Sequence, residues 1–222
     1  MSSAIAECPT VGDLLESLGG IPPERIRMQP APGTATEADL LRPQPDGQDR
    51  ICELIDGTLV EKAMGMREAI LAMCLGRFLL DFVDRHKLGV VAGADATLRL
   101  APGLVRLPDV SFVSWGSMPG GRIPLVPIPD LAADLAVEVL SRGNTKKEMA
   151  RKLREFFRAG TRLAWLIDPA SRTVDIYTSP DDFTRLTEKD TLDGGEVLPG
   201  FSLPLAELFG KLDETGPNAT EN

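Results

Sequence analysis

Two carboxylates stand where a carboxylate is costly. Asp109 follows Pro108 and directly precedes Val110-Ser111-Phe112-Val113, and Glu138 lies inside the run Leu135-Ala136-Val137-Glu138-Val139-Leu140. Burying an unpaired carboxylate costs several kcal/mol, so each residue calls for a cation, a hydrogen-bond partner or a metal. Both runs read as β-strands. Adjacent strands that each bring one carboxylate to the same sheet edge make a hard-oxygen site. Mg²⁺ favours such a site, completed by water and substrate phosphate. The chemistry open to it is metal-assisted hydrolysis.

Other chemistries are excluded by what is missing. No GxxxxGK[ST] and no GxGxxG after a strand occurs, so phosphate-cradling loops of those kinds are absent. The single histidine, His86, ends a helix between Arg85 and Lys87. One histidine excludes most histidine metal sites, histidine-dependent nucleases and Ser-His-Asp hydrolases. Cys8, Cys52 and Cys74 are odd in number and unrelated in spacing, with no CxxC. They read as free thiols of a reducing cytoplasm, not as a zinc site or a disulfide framework. No basic segment followed by an apolar run opens the chain, and no apolar run approaches the roughly 18 residues of a membrane helix. The 222 residues, 43% hydrophobic and 26% charged, suit one domain with an N-terminal arm. The net charge of −9 argues against a broad nucleic-acid-coating surface, though not against a small basic groove on an acidic body.

The elements that must position the carboxylates follow from periodicity. Residues 1–48 read as an arm. It holds a short helix over 11–18 stopped by Gly19-Gly20, a Pro/Gly-rich extended segment, and one helical turn over 36–41. The arm is expected to pack along the domain or across a partner subunit, and a homodimer is expected. Residues 51–62, ICELIDGTLVEK, read as a hairpin turning at Asp56-Gly57. Residues 66–87 read as a long helix, with Ile70, Met73, Cys74, Leu80 and Phe82 among its apolar positions at helical period. Short strands are expected over 89–93, 97–100 and 110–113, then a Pro/Gly-rich loop over 115–133 and a buried strand over 134–140. A helix over 145–159 follows, opened by a Thr145/Glu148 capping box and stopped by Gly160. A further buried strand over 163–167 and a pair over 174–178 and 183–187 complete the domain, 49–212. The polar tail, 213–222, reads as disordered. Strand–helix–strand over 134–167 implies a parallel crossover, hence an α/β fold with a mixed sheet and a helix on each face.

The segments CELIDGTLVEK, RLPDVSFV and DLAVEVLSRGNTKKEMARKLREFFRAGTRLAWLIDP together resemble the Uma2 family of restriction-endonuclease relatives, within the PD-(D/E)xK nuclease superfamily. The similarity runs from Cys52 to Phe209. It implies a restriction-endonuclease-like αβββαβ core with extra β-hairpins. It also implies a metal-dependent endonuclease that cleaves phosphodiester bonds of nucleic acid, DNA foremost, with Mg²⁺ or Mn²⁺. Asp109 then matches the aspartate of the PD motif and Glu138 the acidic residue of (D/E)xK.

Two residues after Glu138, where the superfamily pattern has lysine, this chain has Leu140. That departure and the acidic charge support a second reading, a non-catalytic module on a nuclease fold. The resemblance places the missing lysine on the following helix. Lys152 is the first choice, at the edge of the apolar face of Met149, Ala150, Leu153, Phe156 and Phe157. Lys146 and Lys147, at the helix start, are weaker candidates. Read from residues alone, Lys152 equally fits a solvated i,i+4 partner of Glu148. The family pattern also implies metal ligation by Glu68, in the first turns of the long helix, and by the carbonyl of Val139. Glu53 belongs to the quoted motif, either in the site or as a strand residue facing solvent or an arginine. Asp56 and Asp168 read as turn residues, and Trp165 as core.

Overall fold

The computed structural model describes residues 10–42, 50–63 and 65–215. Helix α1 (Val11–Ser17) starts where Thr10 and Asp13 form a reciprocal cap, and α2 (Glu37–Leu40) repeats the device with Thr36 and Asp39. Strands β1 (Cys52–Ile55) and β2 (Thr58–Glu61) are joined by Asp56 and Gly57 at φ 49° and 73°. Both positive values are what a type I′ turn requires. Gly57 is fixed twice over, because a Cβ there would lie 2.6 Å from the carbonyl oxygen of Gly33.

The remaining elements are α3 (Met66–His86), β3 (Gly89–Gly93), β4 (Leu98–Ala101), β5 (Leu104–Arg106), β6 (Val110–Ser114), β7 (Leu135–Val139), α4 (Lys146–Ala159), β8 (Leu163–Asp168), β9 (Thr173–Tyr177), β10 (Phe183–Thr187), β11 (Thr191–Gly194), β12 (Leu198–Pro204) and α5 (Leu205–Gly210). A six-stranded sheet runs β10-β9-β8-β7-β6-β3. Its β7–β8 pair is parallel and bridged by α4, and its other pairs are antiparallel. In chain order α3, β3, β6, β7, α4 and β8 give the αβββαβ core. Of the three short strands expected after the long helix, the middle one, β4, leaves this sheet. It joins a second, four-stranded sheet, β2-β1-β5-β4.

Alternation along the strands divides the core sheet into two faces. One face carries Val110, Phe112, Leu135, Val137, Val139, Trp165 and Ile167, and packs against α3 and the C-terminal β11–β12–α5 unit. The other carries Ala164 and Leu166 against Met149 and Leu153 of α4. Each such side chain removed from water contributes about 1.5–3 kcal/mol.

The expected phase of α3 requires correction. Its buried stripe is Leu71, Leu75, Leu79 and Val83, whereas Ile70, Met73 and Leu80 are exposed. Residues 69–83 are apolar nearly all the way round, so period alone leaves the face open and the sheet chooses it.

The arm lies along its own chain. Leu14, Leu18, Ile21 and Ile26 pack with Ile55 and Val60 of the first hairpin. Gly19, at φ 94°, sits so close to the start of α4 that a Cβ would approach the Glu148 Cα to 2.7 Å. Cys8 and residues 216–222 of the expected tail lie outside the described residues. No helix among the described residues is long and apolar enough to cross a membrane.

Candidate active site

Strand parity aims both carboxylates at α4. Val110, Phe112, Val137 and Val139 point to the α3 face, so Asp109 and Glu138, their odd neighbours, point to the opposite face. Register brings the two together. Val110 pairs with Val137 across β6 and β7, and one step further Asp109 meets Glu138. The Asp109 N–H donates to the Val137 carbonyl at 2.9 Å, and the Val139 N–H donates to Asp109 Oδ2 at 2.7 Å.

A lysine holds each carboxylate. Lys152, buried to 3% exposure on α4, places Nζ 2.8 Å from Glu138 Oε1 and 3.1 Å from Glu53 Oε1. Lys62, just past β2, places Nζ 2.8 Å from Asp109 Oδ1 and also donates to the Leu107 carbonyl at 2.5 Å. Glu53 is held in turn by Arg106 Nη1 at 2.7 Å and by the Leu107 N–H at 3.1 Å. Arg106 is 1% exposed and reaches Glu155 Oε2 through Nε at 2.7 Å. Glu155 accepts from Arg151 at 2.6 Å, and Arg151 also binds Asp56 of the first turn at 2.6 Å. A continuous chain of buried and half-buried ion pairs thus runs from the second sheet, through α4, to Glu138. The arm joins it where Arg151 Nη1 donates to the Ser17 carbonyl at 2.5 Å, and Arg25 Nη2 separately meets Glu148 Oε1 at 2.7 Å.

Burial and charge act in opposite directions on these groups. Burial pushes the Glu138 carboxyl up, Lys152 opposes it and Asp109 adds to it, leaving a pKa of about 7. Burial also raises Glu53, but Lys152, Arg106 and Lys62 outweigh it and hold that carboxyl well below the usual range. Lys152 is disfavoured as a cation by burial, yet Glu138 and Glu53 keep it above the ordinary lysine value. The site therefore contains an ammonium that stays charged and a carboxyl poised to lose its proton near neutrality.

Asp109, Glu138 and Lys152 are brought together. Lys152 is not the solvated partner of Glu148, which binds Arg25 instead. Val139 meets Asp109 through its N–H. Glu68 lies in the first turn of α3, its carboxylate folded against Gly65, where a Cβ would meet Oε2 at 2.1 Å. Among the described residues no three His, Cys, Asp or Glu side chains form a ready-made metal cluster. Lys146 is exposed at the start of α4, and Lys147 forms a surface pair with Glu16. Asp56 turns the hairpin, and Asp168 accepts the N–H groups of Ala170 and Ser171 in a turn. Trp165 is fully buried beside Phe201. His86 is exposed, and burial pushes the Cys52 thiol up to about 11.

Lys62 and Arg106 were not legible as site residues. The only signal for Lys62 is its place at the end of CELIDGTLVEK. For Arg106 it is the position before Leu107-Pro108-Asp109.

The donor set fits a hard divalent cation: two carboxylates on one face, with Glu138 Oε2 accepting no hydrogen bond among the described residues. The Uma2 family model, described as "Putative restriction endonuclease", matches residues 37–206. This chain belongs to the Uma2 family. Among solved structures, this Uma2 chain is similar to "a putative nuclease belonging to DUF820" from Anabaena variabilis ATCC 29413. The TM-score is 0.66 at 19% identity, over 74% of this chain and 93% of that one. At that identity the likeness establishes the fold, a restriction-endonuclease-like core. No curated protein matches the chain. The family assignment points to a nuclease.

Proposed function

We propose that this Uma2 protein is a metal-dependent endonuclease that hydrolyses phosphodiester bonds of nucleic acid, DNA foremost. The observation that carries the reading is the juxtaposition of Asp109 and Glu138 on one face, with a buried lysine against Glu138. Mg²⁺ or Mn²⁺ would be held by these two carboxylates, with the Val139 carbonyl and Glu68 as further ligands. Such an ion, when bound, polarises the phosphodiester and lowers the pKa of attacking water.

The chain's own residues do the rest. The Val139 N–H and Lys62 fix the orientation of Asp109. Lys152, kept charged by Glu138 and Glu53, supplies a fixed positive charge where negative charge develops on phosphorus oxygens. Arg106 keeps Glu53, and through it Lys152, in place. Asp109→Ala and Glu138→Ala should each abolish cleavage of labelled DNA in Mg²⁺ or Mn²⁺ while leaving the circular dichroism spectrum native. Wild-type cleavage by Asp109→Ala would refute the mechanism.

A specific observation favours the second reading, a non-catalytic module. Lys62 and Lys152 already neutralise both carboxylates, and Leu140 stands at the usual lysine position. A module of that kind would gain no stability from Mn²⁺.

A cytoplasmic homodimer is part of the proposal. The thiols of Cys52 and Cys74 are free. Helix α3 exposes Met66, Ile70, Met73 and Leu80 along one stripe, with Arg67 near its start and Asp81 and Asp84 near its end. A second copy packed antiparallel would cover the stripe. Light scattering of the wild type and of Met73→Glu tests this, with a dimer expected for the first and a monomer for the second. A monomeric wild type would contradict it.

A further inference from the structure

On the α4 face of the core sheet, register extends the row of the active site outwards. Glu138 on β7 neighbours Leu166 on β8, which neighbours Asp175 on β9, which neighbours Arg185 on β10. The adjacent row runs Ala136, Ala164, Tyr177, Phe183. Neighbouring strands are about 4.8 Å apart, so β10 lies roughly 15 Å from Glu138. Over this outer part of the face the structure leaves a cleft of about 770 Å³, whose floor includes Leu140 and Leu166 beside the carboxylate site.

At the rim of the Met149–Leu153–Ala164–Leu166 cluster, against which Tyr177 packs, the cleft carries two further features. Tyr177 and Phe183 form a cross-strand stack, ring centroids 5.0 Å apart, with Phe183 46% exposed. The guanidinium of Arg185 lies 5.7 Å from the Phe183 ring. Around the cleft stand Arg67, Arg142 and Lys146, all exposed, and none forms an ion pair among the described residues. Of the cleft's carboxylates, Asp175 is neutralised by Arg185 and Asp168 is saturated by turn donors, leaving Glu68. Unpaired cations attract phosphates, and an exposed aromatic pair on an open sheet face offers a stacking platform for a base. A base inside a duplex presents its edges, not its faces, so this platform suits an unstacked nucleotide.

We propose that this cleft binds a single strand of nucleic acid, stacking a base on the Tyr177–Phe183 pair and holding the backbone with Arg67, Arg142 and Lys146. The inference deepens the nuclease reading and rests on it only for placing the scissile phosphate at Glu138. Stacked strands are held largely without sequence preference, and their affinity falls with salt.

The test is fluorescence anisotropy of the full chain, without metal, against a labelled single-stranded oligodeoxynucleotide, the same sequence as RNA, and the annealed duplex. Single strands should bind more tightly than duplex. The DNA and RNA arms then tell which sugar is preferred. Phe183→Ala should weaken single-strand binding about 5- to 100-fold, and Phe183→Trp should retain it. Arg142→Ala with Lys146→Ala should flatten the dependence of log affinity on log salt by about 1.4. Duplex preferred over single strand, or an unchanged affinity in Phe183→Ala, overturns the proposal even if the protein cleaves DNA. Metal-free single-strand binding that depends on Phe183 in a protein that never cleaves upholds it while the nuclease reading fails. No binding to any of the three probes overturns it as well.

Discussion

Replacing Glu138 by Gln should make the protein more stable than wild type at alkaline pH and no more stable at acid pH. The carboxyl titrates at 4.5 in its ordinary setting and at about 7 in the fold, because burial and Asp109 outweigh Lys152. Below pH 4.5 it is neutral in both folded and unfolded chains. Between 4.5 and 7 the folded chain binds the proton that the unfolded chain has lost, so raising the pH withdraws stability. Above 7 both are ionised and the loss is complete, at about 3 kcal/mol for a shift of this size. Glu138 is only 5% exposed, so solvent screens little of it. Glutamine keeps the shape and cannot ionise. Urea unfolding of both proteins from pH 4 to pH 8 should show the Gln variant gaining on wild type by about 3 kcal/mol across that range. Mn²⁺ at pH 8 should narrow the gap, since it binds the ionised native site. A gap that stays constant with pH would refute the reasoning.

Removing Arg106 should be among the most damaging single changes. Arg106→Leu leaves buried Glu53 with Lys152 as its remaining cation and Glu155 with Arg151, so chemical denaturation should show a loss of about 3 kcal/mol. Gly19→Ala forces a left-handed residue to place a Cβ 2.7 Å from the Glu148 backbone, and calorimetry should record a loss of about 1–3 kcal/mol with the arm loosened from α4. Lys62→Met should leave Asp109 without its cation and reduce cleavage more than stability, as read by kcat and melting temperature side by side. No change in either would show that Lys62 is dispensable.

Much of the site was legible because its costs are local. A glutamate inside LAVEVL and an aspartate ahead of VSFV must be compensated wherever the strands go, and the Thr145/Glu148 cap and Gly160 stop fixed α4 between them. The Asp56-Gly57 turn was equally direct. Four features were not legible, each for a physical reason. The phase of α3 depends on a sheet that a nearly all-apolar helix does not announce. Arg106, in the short strand LVR, looks like a surface arginine until β5 is seen between β1 and β4. The pairing of Lys62 with Asp109 spans 47 residues and exists only because the first hairpin folds over the carboxylate end of β6. The β11–β12–α5 unit has a turn signal at Asp193-Gly194-Gly195, but its place in the core beneath α3 is set by long-range packing that period does not announce.

The most direct test of the central claim is calorimetric titration of Mn²⁺, near pH 8, into the wild type and the Asp109→Ala, Glu138→Ala double variant. Saturable binding to the wild type that disappears in the double variant is the expected result. Binding of equal affinity by both proteins would place the ion elsewhere and contradict the assignment of Asp109 and Glu138 as its ligands.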